Sequence, residues 1–349
     1  MRDIKDVKKT LFDFLELDKI KKVLIISDND EDGLTSALNG KLFFEKKGIS
    51  TKVFFYNHSD PKFDSINTIF NSFKPDKTLF FDLNENFVFD IMQNIGLALK
   101  DFVVIDHHLG NALVNITQNH LILKPGNFSK IDPSKYPVSK MVFDLFGGID
   151  WIAGIGVIGD FSFEQWDLFI KKSCENISLK ELFELAEICS CIVSMHEKKI
   201  NDLFNFLFET QDPKALLNSS FSKLNGEFQN ILLSELNRVK EDGLFFDELD
   251  LIFFKTKSKL PSKLSNLISV KFSKTVVVYS VEKIFVKCSF RRQDFRVNCN
   301  ELAKFSINGF DNSSGGGHFP ASAAKFPKEY LIEFKKNIIT YLEKNYSKK

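Results

Sequence analysis

The N-terminal half of the chain alternates short apolar runs with longer segments of helical spacing. Four of the runs are rich in β-branched or aromatic residues, as buried strands are. They are Val23–Ile26, Lys52–Tyr56, Leu79–Phe81 and Phe102–Ile105. Between the first two, Leu34–Lys46 has the apolar periodicity of a helix. Continuous apolar strands separated by helices predict a parallel sheet covered on both faces.

Beyond residue 163 the pattern changes to helical spacing without a strand run. Glu181–Met195 and Ile200–Phe208 are the clearest helices there. Strand patterns return at Leu251–Phe254 and within Lys274–Ser289, and Tyr330–Glu343 has the spacing of a closing helix. We therefore expect an α/β protein of three parts. These parts are a parallel-sheet domain over 1–165, a helical connector over 166–245 and a smaller α/β domain over 246–349.

Composition and charge narrow the class of protein. The 349 residues are enough for two domains, and 44% of them are apolar. The net charge of +1 is small, so any nucleic-acid contact should be local. No apolar stretch reaches the length of about 20 residues that a membrane span needs, and Met1–Asp18 has the pattern of an amphipathic helix rather than a signal peptide. The five cysteines form no disulfide or zinc pattern, which favours the reducing cytoplasm.

Acidic residues and a histidine pair follow three of the predicted strands. They are Asp28, Asp30 and Asp32 after the first strand, Asp82 after the third, and Asp106, His107 and His108 after the fourth. Because ligands of such sheets bind at the carboxyl ends of the strands, these groups should converge on one edge. An aspartate at one strand end is commonly a helix cap or a turn residue, but that explanation would have to hold at all three ends.

A cation is the simplest way to bring so many carboxylates together, because without one they repel strongly. Mixed carboxylate and imidazole ligands favour Mn²⁺, with Mg²⁺ as the alternative. The residues themselves thus predict a metal centre at the carboxyl edge of the sheet.

Five motifs resemble those of the DHH phosphoesterases, the superfamily of RecJ exonucleases, nanoRNases and family II pyrophosphatases. In chain order they are Ser27–Gly33, the lone Asp82, Asp106-His107-His108, Gly159-Asp160, and Gly315-Gly316-Gly317 followed by His318. The last resembles the signature of the DHH-associated substrate-binding domain. Because the motifs extend over most of the chain in the family's order, the resemblance implies the DHH fold and a metal-dependent phosphoesterase.

The resemblance also implies a role for each matched residue. The ligands of a first metal ion would be Asp28 and Asp30, and those of a second would be Asp32, His107 and Asp160. Asp82 would bridge the two ions and serve catalysis, and His108 would contact the scissile phosphate. Two departures from the family touch none of these ligands. They are Ala323, where many relatives have Gly nearby, and Asp132-Pro133, where many have Asn-Pro.

The implied chemistry needs no protein nucleophile. Two cations roughly 3.5–4 Å apart can hold an in-line displacement at phosphorus and make a shared water more nucleophilic. They also offset the charge that develops on the phosphoryl oxygens.

Substrate binding is expected in the C-terminal part. Segment 251–296, called the basic segment below, has eleven Lys and Arg against two acids, a net charge of +9. A solvated surface would explain such a run, but Ser289-Phe290-Arg291 resembles the family's Ser-x-Arg element, which favours a face that follows phosphates. Arg291, the glycines Gly315, Gly316 and Gly317, and His318 would then bind the substrate, the glycines by allowing close backbone approach.

The sequence leaves the substrate open. We expect single-stranded DNA or RNA or short oligonucleotides, as for a compact RecJ-like exonuclease or a nanoRNase. Cyclic or linear dinucleotides and 3′-phosphoadenosine phosphate are alternatives, whereas the glycine–histidine signature argues against inorganic pyrophosphate. DNA or RNA preference, polarity of degradation and oligomeric state are not readable.

Two other classes of protein fit the sequence less well. A haloacid-dehalogenase-like phosphatase would not explain Asp106-His107-His108. A non-catalytic replication scaffold would be expected to lose metal ligands, whereas this chain keeps all of the residues that match them. Since the site rather than the fold indicates function, the retained residues favour an enzyme. Replication or repair proteins are candidate partners in either case.

Overall fold

The computed structural model describes residues 3–57, 62–95, 101–108 and 119–346. The chain divides into two compact units, Met1–Asn225 and Gly226–Lys349, called the N-terminal and C-terminal units below. Their boundary lies within one long helix, Ser220–Asp242. The three predicted domain ranges, 1–165, 166–245 and 246–349, stay a prediction.

The N-terminal unit contains the expected parallel sheet. Its strands are β1 (Lys22–Asp28), β2 (Ser50–Tyr56), β3 (Lys77–Phe81), β4 (Phe102–Ile105) and β5 (His120–Leu123), in the order β2-β1-β3-β4-β5. Every neighbouring pair is parallel. The sequence analysis did not predict β5.

Helices cover both faces of this sheet, as predicted. They are α1 (Ile4–Leu15), α2 (Glu31–Lys46), α3 (Phe63–Phe73), α4 (Glu85–Asn94), α5 (Val138–Phe146), α6 (Asp150–Gly159), α7 (Asp167–Lys172), α8 (Leu179–Met195), α9 (Ile200–Thr210) and α10 (Pro213–Leu217). Along β1, Leu24 and Ile26 pack against α3 and α4, whereas Val23 and Ile25 pack against the larger helical layer. This alternation follows from the two-residue period of a strand, so a strand buried on both faces is apolar throughout.

Helix α2 begins three residues before the predicted start at Leu34. The Asp30 side chain accepts a hydrogen bond from the Gly33 amide at 2.9 Å and caps the helix. A Cβ at Gly33 would lie 2.2 Å from the Asp28 carbonyl oxygen, so only glycine lets the first turn pack against the end of β1. The acidic motif therefore combines a strand end, a helix cap and the first turn of α2.

The C-terminal unit is built on a second, mixed sheet. Its strands are β6 (Leu244–Phe246), β7 (Leu251–Lys255), β8 (Thr275–Glu282), β9 (Phe285–Arg291), β10 (Ser314–Gly317) and β11 (Ala321–Pro327). Their order is β10-β11-β9-β8-β7-β6, and β7 with β8 is the parallel pair. The predicted strand stretch 274–289 is thus a hairpin of two strands, β8 and β9.

Four helices accompany this sheet. They are α11 (Ser220–Asp242), α12 (Pro261–Phe272), α13 (Cys299–Ser306) and α14 (Leu331–Tyr346). Phe290, Phe326 and Phe334 form the centre of the core between the sheet and α14. The α/β fold with a helical middle, expected from the sequence, is confirmed. Within the described ranges, no helix combines the length and apolar character needed to cross a bilayer.

Helix α6 lies unusually close to α2 and α5 because glycine occupies the contact. A Cβ at Gly156 would lie 2.4 Å from both Thr35 Oγ1 and Ser139 Oγ. This close contact places the C-terminal end of α6, where Asp160 follows, next to the start of α2. The packing of α6 against α2 and α5 therefore requires glycine at position 156.

Gly156→Ala should therefore destabilise the protein, by about 1–3 kcal/mol for an overpacked contact. Gly226→Ala is the matched control, because Gly226 is also inside a helix but a Cβ there would meet nothing within 4 Å. That substitution should stabilise the protein by about 0.5–1 kcal/mol. Urea unfolding followed by circular dichroism measures both, and a Gly156→Ala variant as stable as the wild type would contradict the packing argument.

Candidate metal centre

The strand order creates a crevice at the carboxyl edge of the sheet. The chain leaves β1 towards β2 on one side and later returns to β3 on the other, so β1 and β3 flank a topological switch point. Ligands of open α/β sheets bind at such points. Asp28 ends β1, Asp82 follows β3, and Asp106 follows β4. The predicted convergence of these residues is observed.

Asp82 occupies the centre of this edge in a backbone conformation uncommon for a residue other than glycine. Its φ is 58°, and only 2% of the residue is exposed. Its amide donates to the Ile105 carbonyl at 3.0 Å, which fixes the main chain. Its Oδ1 is buried and accepts no hydrogen bond from the described residues. An orphaned buried carboxylate oxygen fits a cation that would complete its coordination.

Three groups of mutually close ligand atoms include Asp82, and two of them consist of predicted metal ligands. In one group, atoms of Asp28, Asp30 and Asp82 all lie within 4.8 Å of one another. In the other, the same separation holds for atoms of Asp32, Asp82 and His107. A third group joins Asp82 with Asp106 and His108. The division into two ion sites and the individual ligand roles stay predictions.

The carboxylates of the cluster raise one another's pKa. Burial, followed by the charges of Asp30 and Asp32, raises the pKa of Asp82 well above its ordinary value. Burial and the Asp28 charge raise the pKa of Asp30 in the same direction. For Asp32, burial and the neighbouring Asp160 raise the pKa to about 6. Full ionisation near neutral pH therefore requires compensating positive charge, which a divalent cation would supply.

Asp32 is held by the start of helix α5. Its Oδ2 accepts from the Val138 amide at 2.7 Å, and its Oδ1 accepts from the Ser139 amide at 2.8 Å. These amides belong to the first turn of α5, where the helix dipole favours an anion. They orient both oxygens and leave lone pairs for a cation. The sequence analysis missed this contact, because it joins residues more than 100 positions apart.

The ring of His107 is oriented by a main-chain carbonyl. Its Nδ1 lies 3.1 Å from the Pro133 oxygen, so a hydrogen on Nδ1 is donated there and Nε2 keeps its lone pair. Nε2 lies 3.5 Å from Asp82 Oδ1. Burial and the charge of His108 lower the pKa of His107, which favours the neutral form that binds metals.

Asp132-Pro133, where many relatives have Asn-Pro, shapes the contact between His107 and the Pro133 carbonyl. The Asp132 carboxylate accepts hydrogen bonds from the Ser134 amide and hydroxyl, at 2.9 Å and 2.6 Å, and caps the short turn that follows. That turn presents the Pro133 carbonyl to His107. Asp132 therefore supports the position of His107, a predicted metal ligand, and is not itself a predicted ligand.

Asp160 lies at the border of the cluster. It caps the C-terminal end of α6, and its Oδ2 is 3.8 Å from His107 Nδ1, on the side of the ring away from Asp82. The groups of mutually close ligand atoms found among the described residues do not include it. Its influence on Asp32 nevertheless shows that the two carboxylates are close.

His108 points from the same loop and is partly accessible. Its side chain is 33% exposed, so a substrate can reach it. Its Nδ1 lies 2.7 Å from Asp106 Oδ1. Although burial opposes protonation, the Asp106 carboxylate raises the pKa of His108 to about 9. A protonated imidazole suits contact with an anionic phosphate.

Two further charged residues surround Asp106. Lys124 Nζ lies 3.1 Å from Asp106 Oδ2 and 2.6 Å from Glu85 Oε2. The sequence analysis missed both residues, because Lys124 follows the unrecognised strand β5. A lysine directly after a short apolar run was the available signal.

The predicted substrate-binding residues meet within the C-terminal unit. Arg291 ends β9 and pairs in register with Ala321 of β11, whose carbonyl accepts from the His318 amide at 2.7 Å. The guanidinium of Arg291 donates to Asn266 Oδ1 at 2.7 Å and to Ser262 Oγ at 3.1 Å, both on α12. Neighbouring strands thus bring Arg291 and the His318 turn together.

The glycine triplet forms the edge strand β10. Gly315, Gly316 and Gly317 pair with Ala324, Ala323 and Ser322 of β11. A Cβ at Gly317 would lie 2.5 Å from the Ala321 carbonyl oxygen, so the tight turn into β11 requires glycine. The Gly317 amide donates to Asn300 Oδ1 at 3.1 Å, which fixes the strand to α13.

Part of the basic segment is occupied by internal ion pairs. Arg292 is only 2% exposed, and its guanidinium donates to Asp294 at 2.7 Å and 3.0 Å. Lys274 pairs with Asp247 at 2.9 Å. The expectation that the whole basic segment faces phosphates is therefore wrong for Arg292, whose charge the fold uses internally.

Asp82→Asn should stabilise the metal-free protein and weaken its response to metal. The substitution removes a buried charge, and asparagine tolerates the left-handed backbone at this position. In the wild type, Mn²⁺ at about 100 times its dissociation constant should add on the order of 2.7 kcal/mol of stability per site. Thermal unfolding in EDTA and in Mn²⁺ measures both effects.

Asp144→Asn is the control for this comparison. Asp144 is paired with Lys140 and Tyr136 near the far end of α5, so its loss should lower stability without changing the Mn²⁺-induced shift. An Asp82→Asn protein with a full wild-type shift would contradict the metal site.

Comparison with solved structures shows the same fold over nearly the full chain. RecJ of Thermus thermophilus in complex with Mn²⁺ matches with a TM-score of 0.70 and 14% identity, over 98% of this chain and 55% of RecJ. This chain therefore spans about half the length of that protein. Exonuclease RecJ bound to manganese matches with a TM-score of 0.66 and 13% identity, over 99% of this chain and 96% of the other.

A further match is the DHH domain of a member of the s1p family of ribosomal proteins. Its TM-score is 0.69 and its identity 15%, over 98% of this chain and 92% of the other. No protein-family model matches the chain, and no curated protein matches it by sequence. At this level of identity the structural likeness establishes architecture, and this chain has the fold of the DHH-family phosphoesterases.

Proposed function

We propose that this protein is a two-metal-dependent phosphoesterase that hydrolyses phosphodiester bonds of single-stranded nucleic acid or short oligonucleotides. The observation that carries the proposal is that Asp82 belongs to two groups made only of predicted metal ligands, each with atoms within 4.8 Å of one another. Two sites that share one carboxylate are the arrangement that two-metal hydrolysis needs. The Mn²⁺ in RecJ structures of the same fold supports manganese as the metal.

The chain's own residues have distinct tasks in this proposal. Asp28, Asp30 and Asp82 would hold one ion, and Asp32, Asp82 and His107 the other, with Asp160 beside them. When bound, the cations supply electrostatic stabilisation of the phosphoryl group and activation of water. His108, bound to Asp106 through Nδ1, directs its Nε2 away from Asp106 and can donate a hydrogen bond from there to a phosphoryl oxygen.

The energetics of the site argue against a purely structural protein. A purely structural protein would gain nothing from Asp82, because its buried Oδ1 accepts no hydrogen bond from the described residues and such a group lowers stability. Unfavourable buried charge is retained where it serves binding or catalysis.

The activity test uses end-labelled DNA and RNA from two to about 30 nucleotides, incubated with Mn²⁺ or with EDTA. Short products should accumulate with Mn²⁺ and be absent with EDTA. His108→Ala should keep its metal but lose turnover, whereas His107→Ala should lose both, as elemental analysis would show. If oligonucleotides stay intact while cyclic or linear dinucleotides or 3′-phosphoadenosine phosphate are cleaved, the protein acts on small nucleotides. Cleavage in EDTA at the Mn²⁺ rate would refute a metal-dependent mechanism.

The C-terminal unit is proposed to bind the oligonucleotide, with Arg291 as a phosphate contact. Arg291→Ala should raise KM for oligonucleotides, and the loss of one contact should reduce the salt dependence of binding by roughly 0.7 in log K per log unit of salt on single strands. Bis-p-nitrophenyl phosphate should be hydrolysed almost normally, because it is too short to need this contact.

Lys336→Ala is the matched control for Arg291. Lys336 is exposed on α14, which packs on the Phe290 face of the sheet, whereas the Arg291 guanidinium contacts α12. This variant removes one positive charge and should leave both substrates unaffected. Equal losses of Arg291→Ala on long and minimal substrates would mean that Arg291 belongs to the chemical site itself.

A further inference from the structure

Lys124 is a buried lysine whose ammonium group contacts three oxygen atoms. Its side chain is 10% exposed, and it directly follows β5. Nζ lies 2.6 Å from Glu85 Oε2 and 3.1 Å from Asp106 Oδ2, and it donates to the His108 carbonyl at 2.7 Å. The contact with the His108 carbonyl is a hydrogen bond, and the contacts with the two carboxylates are ion pairs.

Asp106 connects this lysine to the His108 ring. Asp106 is fully buried, with Oδ2 next to Lys124 and Oδ1 2.7 Å from His108 Nδ1. Lys124 therefore acts on His108 at two points, on the carboxylate that holds the imidazole and on the carbonyl of the same residue. Two such constraints restrict both the position and the orientation of the ring.

A stabilising ion pair is an insufficient explanation for this network. Burying an ammonium with two carboxylates carries a large desolvation cost, and apolar replacement of such groups is often neutral or favourable. Lys77 illustrates a simpler pair elsewhere on the sheet. It is 9% exposed and bonds to Asp101 at 2.8 Å, and Asp101 is itself 56% exposed. Lys124, by contrast, contacts two members of the Asp106-His107-His108 motif.

We propose that Lys124, supported by Glu85, is a positioning residue that holds His108 in the orientation needed to contact the scissile phosphate. This inference rests on the proposed phosphoesterase function and deepens it, because it assigns two residues to the alignment of one catalytic side chain. Lys124 and Glu85 touch neither substrate nor metal in this scheme. Their effect reaches the reaction through Asp106 and His108.

Lys124→Met tests the inference. It should lower kcat by roughly 10- to 100-fold, as the loss of a supporting contact does, while KM for bis-p-nitrophenyl phosphate and manganese content change little. Lys77→Met is the matched control, because it removes an equally buried lysine from the same sheet, and it should keep the wild-type kcat. If both variants lose kcat equally, the effect is structural and the positioning role is wrong.

The dependence on His108 is measured by a double-mutant cycle. If Lys124 acts through His108, Lys124→Met should cause no further loss of kcat in the His108→Ala background. An additional loss equal to that in the wild type would overturn the proposal. Glu85→Gln, which preserves size and one acceptor oxygen, should lower kcat several-fold and provides the test if Lys124→Met does not fold.

The outcomes separate this inference from the proposed function. A wild-type protein inactive with Mn²⁺ on every phosphodiester tested would overturn both. An active wild type with unchanged Lys124→Met and Glu85→Gln variants would overturn the positioning role alone.

Discussion

The structure depends on the close approach of several carboxylates at the carboxyl edge of a parallel sheet. Asp82 is the centre of that crowding, because it is buried, is close to the charges of Asp30 and Asp32, and has one oxygen that accepts no hydrogen bond from any described residue. Charges in such surroundings must be neutralised by protons or by cations. The raised pKa values of the cluster reflect the repulsion between its buried carboxylates, and a bound cation would relieve that repulsion.

The scaffold reduces this cost with main-chain groups rather than with counter-charges. Two amides at the start of α5 hold Asp32, and the Pro133 carbonyl holds His107. Such contacts orient the side chains of Asp32 and His107 and would leave their remaining lone pairs available to a cation. Close packing of α6, which only Gly156 permits, brings the Asp160 end of that helix into the same neighbourhood.

Some cationic side chains compensate acidic groups within the fold, whereas others are placed to contact a ligand. Lys124 compensates Asp106 inside the N-terminal unit, and Arg292 compensates Asp294 inside the C-terminal unit. Arg291, one residue before Arg292, is oriented by two neutral side chains of α12. Arg291 is the last residue of β9 and Arg292 follows the strand, and their different partners leave one arginine serving the fold and its neighbour suited to an anionic ligand.

The sequence by itself determined the parallel sheet, the helical middle and the convergence of Asp28, Asp82 and Asp106, because strand periodicity and strand ends are local properties of a chain. Through the family resemblance it also predicted a division of metal ligands around Asp82. Tertiary structure alone decided the contacts of Asp32 with α5, of His107 with Pro133, and of Lys124 with Asp106 and Glu85. It also decided that Arg292 is buried. These contacts join residues distant in sequence, and no periodicity encodes them, since they follow from how helices and strands pack in three dimensions.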